Sequence, residues 1–143
     1  MEIKRVILAS DHAGFKLKEC IKEFLLKKRK KVLDLGAKNS KSVDYPDFAH
    51  LLSKKIKNNN NEFGILVCGS GIGMDMAANK HKNVRAALCY DIKSTKLSRL
   101  HNNANVMAIG ARLTKKNVAL KCVSTFMNTN FEGGRHQRRV KKI

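Results

Sequence analysis

The apolar residues of the chain fall into five short runs separated by longer amphipathic stretches. Three runs, Arg5 to Ala9, Ile65 to Val67 and Val106 to Gly110, lack regular polar alternation, which is typical of strands buried on both faces. Lys31 to Leu35 and Val84 to Cys89 are interpreted as two further strands. The pattern therefore predicts five strands of the kind found in parallel sheets.

Between these runs the apolar residues recur at roughly helical spacing among lysines. Helices are predicted at Phe15 to Lys28, from Pro46 to Ile56, at Ile92 to Leu100 and around Lys116 to Met127, with another after a glycine-rich turn. Strands that alternate with helices favour a parallel sheet with right-handed crossovers. We expect residues 1–143 to form a single α/β domain, a three-layer α/β/α Rossmann-like fold with a five-stranded parallel sheet, ending in a basic tail at about 133–143.

The glycine-rich turn follows the central strand. Cys68 ends that strand, and the next five residues, Gly69 to Gly73, read G-S-G-I-G. A turn of this kind between a buried strand and a helix leaves backbone N–H groups free near the positive end of the helix dipole, where negative charge is stabilised. The same position favours the thiolate form of Cys68. A Cys that packs only as a small buried hydrophobe is the alternative, and this stretch alone does not decide between the two.

Polar residues follow several of the other predicted strands. Asp11 and His12 come after the first strand, Asp91 after the fourth and Arg112 after the fifth. In parallel α/β sheets, ligands bind beyond the carboxyl ends of the strands. We therefore expect these residues to meet the Cys68 turn at that edge of the sheet, and His101 is assigned to the same edge.

The chain is strongly basic, with 30 Lys and Arg residues against 11 Asp and Glu and a formal net charge of +19. Such a charge suggests nucleic-acid binding. However, the lysines are spread along the chain, aromatic residues are not interleaved with them, and the run Asn58 to Asn61 indicates a general bias toward Lys and Asn. Nucleic-acid binding is therefore disfavoured. A nucleotide- or RNA-binding module that uses the basic tail is kept as the alternative that is not an enzyme.

Several other classes of protein are disfavoured by missing patterns. The four cysteines form no C-x-x-C pair, which argues against a zinc site or a disulfide framework and fits a reducing, cytoplasmic environment. No apolar run approaches the roughly 20 residues of a membrane span, and Met1 to Lys4 lead into a strand without a signal-peptide pattern. The glycine-rich fingerprint of dinucleotide-binding proteins would need a glycine where this chain has Met74, although Asp91 could take the place of the acid that binds the ribose in such proteins. The lysine of a P-loop is also missing.

Five motifs taken together resemble those of ribose-5-phosphate isomerase type B and of the related galactose-6-phosphate and allose-6-phosphate isomerases. In chain order they are Ser10 to Gly14, Asp44 to Asp47, Cys68 to Lys80, His101 to Asn105 and Gly133 to Val140. The likeness covers nearly the whole chain. It implies an aldose–ketose isomerase that interconverts ribose 5-phosphate and ribulose 5-phosphate through an enediolate, with no metal and no cofactor. Activity on a hexose 6-phosphate is the alternative.

The resemblance implies roles for individual residues in the reaction. Cys68 corresponds to the base that moves a proton between C1 and C2 of the sugar. Proton abstraction next to a carbonyl requires such a base together with a preorganised site for the oxyanion. His101, with Asn102 beside it, corresponds to the group that helps to open the furanose ring. The enediolate oxygen is expected to meet Ser70 and the backbone amides of Gly69, Gly71, Ile72 and Gly73.

A second set of residues is assigned to substrate binding. By the same resemblance, Asp11 corresponds to the group that holds the ring hydroxyls, and His12 to a phosphate contact. Arg135 and Arg139 correspond to further phosphate contacts; they are spaced i,i+4, so they share one helical face and suit a phosphate dianion. A solvated basic tail is the alternative for this pair. Two residues complete the set, Arg112 as an added phosphate contact and Tyr45 as a residue that either lines the site or packs.

The chain departs from the family pattern at two positions next to the glycine turn. Some family members carry a Glu just after the glycine turn, where this chain has Met74, so the base is assigned to Cys68. Asp75 stands where the family commonly has Ser, and we expect its carboxylate to point outward, away from the thiolate. The resemblance also implies a homodimer, or a tetramer, in which His101 of one chain faces the Cys68 turn of the other.

Overall fold

Strands and helices alternate along the chain in the computed structural model, which describes residues 5–59 and 61–143. The strands are β1 (Arg5–Ser10), β2 (Val32–Asp34), β3 (Glu62–Cys68), β4 (Ala86–Leu88) and β5 (Val106–Gly110). The helices are α1 (Phe15–Lys27), α2 (Tyr45–Lys55), α3 (Ile72–Ala78), α4 (Ile92–Asn102), α5 (Lys116–Asn128) and α6 (Arg135–Val140). The predicted alternation is confirmed, although β2 and β4 are shorter than predicted and the basic tail contains a helix. Residues Met1 to Lys4, on which the expectation of no leader depends, lie outside the described residues.

All five strands pair in parallel to form one sheet in the order β2-β1-β3-β5-β4. Successive side chains of a strand point to opposite faces, so Val6 and Leu8 join the core on one face while Ile7 and Ala9 join the core on the other. Helices α1 and α5 cover the first face, with α4 packed beside α5, and helices α2 and α3 cover the second. The predicted three-layer α/β/α fold is therefore confirmed.

The order of the strands creates a crevice at the carboxyl edge of the sheet. Strands β1 and β3 are neighbours, but the chain leaves β1 toward α1 on one face and leaves β3 toward α3 on the other. The two loops therefore separate above the strand ends. Such a switch point is where ligands bind in open α/β sheets.

No helix in the described part of the chain has the length and apolar character that crossing a membrane would require. The helices instead bury one face against the sheet and expose the other. In α1, for example, Leu17, Ile21 and Leu25 are buried while Lys16 and Leu26 are exposed. This three-to-four-residue spacing is the amphipathic pattern expected for a helix that covers a sheet.

A buried ion pair fastens α1 to β2. The Lys18 side chain is fully buried, and its Nζ lies 2.8 Å from both carboxylate oxygens of Asp34. Asp34 also accepts from Lys22 Nζ at 3.1 Å and from the backbone N–H of Gly36 at 2.9 Å. Burial alone would raise the pKa of Asp34, but these donors hold it below its usual value. The carboxylate is therefore charged when the protein is folded.

Replacing Lys18 with Met should lower the free energy of unfolding by about 2–3 kcal/mol, because a buried carboxylate loses its closest cation. Lys22→Met is the matched control, since Lys22 contacts the same carboxylate from a partly exposed position and should cost less than about 1 kcal/mol. Urea denaturation of both variants measures the difference. Equal losses would show that the burial of Lys18 has no special weight.

Candidate active site

A cavity of about 590 Å³ opens at the carboxyl edge of the sheet, in the crevice between β1 and β3. Its volume is within the range of small-molecule sites. It brings together nine of the residues singled out in the sequence: Asp11, His12, Tyr45, Cys68, Gly69, Ser70, Ile72, Gly73 and Arg112. Ala13, Met76 and Leu113 complete its lining.

Close contact between two stretches of backbone fixes the turn after Cys68. The carbonyl of Cys68 accepts from the N–H of Ala111 at 2.8 Å, and the carbonyl of Gly69 accepts from the N–H of Arg112 at 3.0 Å. A Cβ on Gly110 would lie 2.5 Å from the carbonyl oxygen of Ser70, so no larger residue fits there without a shift. The residue after Ser70 is also glycine and has a φ of +80°, which side chains rarely allow. The end of β5 therefore holds the glycine turn in place.

The Cys68 side chain is buried, with 4% of its surface exposed, but it reaches the cavity. Its Sγ accepts a hydrogen bond from the backbone N–H of Gly71 at 3.2 Å. An N–H group aimed at sulfur stabilises a thiolate more than a neutral thiol. The N–H of Ile72 donates to Ser70 Oγ at 3.2 Å. Two of the predicted anion-hole amides therefore already have acceptors inside the turn, which an incoming oxyanion would have to share or displace.

Asp11 and His12 occupy the β1 side of the cavity. Asp11 is 6% exposed, and its Oδ1 accepts from the N–H of Gly14 at 2.9 Å, so it also closes the turn that starts α1. His12 accepts from the backbone N–H of Val43 through Nδ1 at 3.1 Å. In the neutral ring this places the proton on Nε2. That N–H is then free to donate to an anion in the cavity.

Tyr45 forms a wall of the cavity. It begins α2, and its ring lies against the glycine turn, where a Cβ on Gly73 would come within 2.5 Å of two ring carbons. Of its two predicted alternatives, lining and packing, the structure shows both, since the ring lines the cavity and packs on Gly73. On the opposite side, the guanidinium of Arg112 lies over Gly69, with Nη1 3.1 Å from the position of a Cβ there.

The assignment of His101 to the carboxyl edge is wrong. Helix α4 starts after β4 and ends before β5, so His101 in its last turn lies at the amino edge. The residues that follow confirm this placement, because the carbonyl of Asn105 accepts from the N–H of Gly64 near the start of β3. Cys68 is paired with the far end of β5, at Gly110. At about 3.3 Å per residue, β5 alone separates the two edges by roughly 13 Å.

Asn102, Arg135 and Arg139 share the amino edge with His101, and none of these four described residues lines the cavity. Asp91 follows β4 at the carboxyl edge, as expected, but it does not line the cavity and instead caps the start of α4. Its Oδ1 accepts from the N–H of Ser94 at 2.6 Å, which keeps the pKa of its carboxyl below the usual value. The sequence-predicted site residues therefore form two groups at opposite edges of one chain.

The buried guanidinium of Arg99 supports the group at the amino edge. It is 1% exposed and lies over the rings of Phe63 and Phe126. It also donates to the carbonyl of Thr129 at 3.1 Å and to that of Ala104. These contacts join the end of α4 to the segment that follows α5. Burial lowers the pKa of Arg99 to about 10, so the group is still charged near neutral pH.

Asp75 does not line the cavity, so its carboxylate does not face Cys68 from within it, as expected. It is not fully outward, however. One of its oxygens, Oδ1, is buried and has no hydrogen-bond partner among the described residues. Burial raises the pKa of this carboxyl to about 6.

Asp75→Asn should change the pH dependence of stability. The folded protein binds the carboxyl proton more tightly than the unfolded chain, so the free energy of unfolding of the parent falls as pH rises from 3.8 to about 6. At about pH 8 the variant should be more stable than the parent by about 1 kcal/mol, a figure that allows for the partial exposure of Asp75 to water. At about pH 4 the two proteins should differ little in stability. Urea titrations at both pH values measure this. Parallel pH profiles for the two proteins would contradict it.

One group of side chains in the described residues has the composition of a metal site. Ligand atoms of His101, Glu132 and His136 all lie within 4.8 Å of one another. However, the two imidazole rings are stacked 4.2 Å apart and nearly parallel, at 15°, so their in-plane lone pairs do not converge on one point. The arginines at 135 and 139 add positive charge nearby. The group is therefore poorly suited to a divalent cation.

Sequence reasoning missed several features of the site and its surroundings. His136, Glu132 and Arg99 were not selected, although each lies within a few residues of a selected one. His50 and His81 were not selected either; they are half-buried and hydrogen-bonded through Nδ1 and Nε2 at 2.7 Å. Burial and the neighbouring His50 lower the pKa of His81. The spacing between these histidines carries no signal, because α2 and the turn after α3 bring them together only in the folded chain.

Comparison with known proteins gives consistent matches along the chain. A sequence model of the Ribose/Galactose Isomerase family matches residues 6–143. The probable ribose-5-phosphate isomerase B of Mycoplasma genitalium is 47% identical over 140 residues, covering 96% of this chain and 92% of that protein. Ribose-5-phosphate isomerase B of Escherichia coli is 38% identical over 141 residues, covering 99% and 95%. The crystal structure of the Mycoplasma genitalium enzyme with bound ribulose-5-phosphate gives a TM-score of 0.94 at 45% identity, covering 99% of this chain and 95% of that one.

Proposed function

The chain belongs to the ribose/galactose isomerase family, and on this premise we propose that it interconverts ribose 5-phosphate and ribulose 5-phosphate with Cys68 as the base. Relatives that match nearly the whole chain are named ribose-5-phosphate isomerase B, and one of them was crystallised with ribulose-5-phosphate. The observation that carries the assignment of the base is local. Cys68 Sγ accepts a backbone N–H at the wall of a cavity that also contains Asp11, His12 and Arg112.

In the open-chain aldose, the Cys68 thiolate removes the proton on C2. The electron pair of that bond forms the C1–C2 double bond, and the carbonyl oxygen on C1 takes the negative charge. Ser70 and the amides of the glycine turn stabilise this oxygen. The Cys68 thiol then returns its proton to C1 while the hydroxyl proton moves from the oxygen on C2 to the oxygen on C1. The product is the ketose, and the thiolate is regenerated.

The substrate phosphate binds His12 and Arg112 from the chain that carries Cys68. The Nε2–H of His12 can donate to a phosphate oxygen, since its Nδ1 is occupied by the N–H of Val43. The Arg112 guanidinium at the cavity adds a charge-assisted contact. Asp11 holds the sugar hydroxyls. In this mechanism the reaction uses protein side chains and backbone amides alone. The four free cysteines are consistent with the reducing cytoplasm as the compartment of the protein.

A homodimer completes the site. The cavity contains the base and the turn but none of the amino-edge residues, so in the proposed site His101, Asn102 and the two arginines of α6 come from a second copy. The rim of the cavity is apolar and exposed, with Ile72 44%, Met76 65% and Leu113 72% accessible, which suits burial against a partner. A two-fold axis makes the exchange reciprocal and gives two composite sites.

Cys68→Ser should abolish nearly all turnover of ribose 5-phosphate while the fold is kept, because a serine hydroxyl remains protonated and cannot serve as the base. Exchange of solvent deuterium into the substrate should be lost with it. Initial rates are measured with ribose 5-phosphate and, in parallel, with allose 6-phosphate. A variant that keeps more than about a tenth of the parent kcat, a barrier change under roughly 1.4 kcal/mol, would remove Cys68 as the base. If the parent enzyme turns over allose 6-phosphate faster than ribose 5-phosphate, its substrate is a hexose phosphate and the assignment to ribose 5-phosphate is wrong.

Mixing two strongly impaired variants, Cys68→Ala and His101→Ala, should restore activity once subunits exchange. Each mixed dimer then has one site with both defects and one with neither. Random mixing makes half of the dimers mixed, so activity should reach roughly a quarter of the parent value. Native mass spectrometry verifies the exchange. If the dimers are mixed and the activity stays at the level of the single variants, each site is built from one chain.

A further inference from the structure

A second histidine lies directly against His101. The rings of His101, in the last turn of α4, and His136, in α6, are stacked with centroids 4.2 Å apart and planes 15° from parallel. His136 is 5% exposed, whereas His101 is half-buried. The His101 ring therefore rests one face on a buried ring and keeps part of its surface accessible.

The segment between α5 and α6 is built to hold this stack. The backbone N–H of Glu132 donates to the carbonyl of Leu100, the residue before His101, at 3.1 Å. Arg99 binds the carbonyl of Thr129 at the start of the same segment. These two contacts join the last turn of α4 to the segment that leads into α6.

The buried member of the stacked pair is poorly suited to carry a proton. Burial, the neighbouring His101 and the adjacent Arg135 lower the pKa of His136, with Arg139 adding to the effect and Glu132 opposing it. The Nε2 atom of His136 is buried and has no hydrogen-bond partner among the described residues, so a charge there would be poorly solvated. A neutral ring beneath His101 offers its π face to an imidazolium, which is a favourable contact.

We propose that His136 is a positioning residue for ring opening: it fixes the plane of His101 by stacking and remains neutral itself. The inference deepens the proposed function and depends on it. His136 does not touch the substrate, since its ring is covered by His101 and by the protein. Its effect on the reaction passes through His101 alone.

A double-mutant cycle tests this dependence. His136→Ala should lower kcat for ribose 5-phosphate roughly tenfold to a hundredfold, the usual effect of misplacing a catalytic group. His136→Phe, which keeps a flat neutral ring, should keep at least about a third of the parent kcat. In a His101→Ala background, where substrate that opens spontaneously in solution still turns over, His136→Ala should change activity less than about twofold, because a residue that acts through another adds nothing once that one is removed.

Two controls separate positioning from a general loss of structure. His136 is next to Arg135, so a variant that merely disorders α6 should raise KM and weaken competitive inhibition by inorganic phosphate; we expect both to stay within about twofold. Gln137→Ala, an exposed neighbour in the same helix, should behave like the parent.

The outcomes are distinct. If His101→Ala is fully active, the assignment of His101 in the proposed function fails. If His101→Ala is impaired but His136→Ala is normal, or if His136→Ala is equally harmful in both backgrounds, only the present inference is overturned. If EDTA inactivates the parent enzyme and Zn²⁺ restores it, the three side chains form a metal site and the positioning role is wrong.

Discussion

The polarity of a parallel sheet is the constraint that governs this molecule. All strands of a parallel sheet end at the same edge, the carboxyl edge, and each crossover helix runs back to the opposite, amino edge. Cys68 ends β3 and His101 ends α4, so the two lie at opposite edges. No adjustment of side chains spans a distance of roughly 13 Å. The proposed reaction uses both residues, so the proposal requires two chains and makes dimerisation a condition of catalysis.

At the carboxyl edge, the backbone geometry of the glycine turn depends on residues without side chains. Gly71 and Gly110 let two backbone segments approach more closely than any Cβ would allow, and the hydrogen bonds of Cys68 and Gly69 to the chain after β5 then fix the turn. A turn held this way presents N–H groups in one arrangement before substrate arrives. In the proposed reaction such fixed donors stabilise an oxyanion with little movement of the backbone, although the amides of Gly71 and Ile72 must first share or give up their acceptors inside the turn.

Local patterns in the sequence predicted the strands, the helices and most of the cavity, because strand ends and glycine turns leave short-range signals. Long-range placement was harder. His101 was assigned to the wrong edge because it was grouped by chemistry rather than by its position at the end of a helix. The sequence did not identify Lys18 and Arg99 as core residues, since charged side chains are almost never fully buried unless paired. Their partners, the carboxylate of Asp34 and the carbonyl of Thr129, are brought close only by folding.

The large positive charge acquires a physical meaning when the acids are located. Several of the 11 Asp and Glu residues are engaged in internal contacts: Asp34 with Lys18, Glu62 with Arg5, and Asp11 with the turn before α1. An ion pair removes one charge of each sign, so the net charge of +19 is unchanged and the field outside the protein is positive. A sugar phosphate and its isomer carry the same charge, and a positive field accelerates the capture of both. Such steering does not distinguish the two, so the choice of substrate depends on the few groups in the cavity.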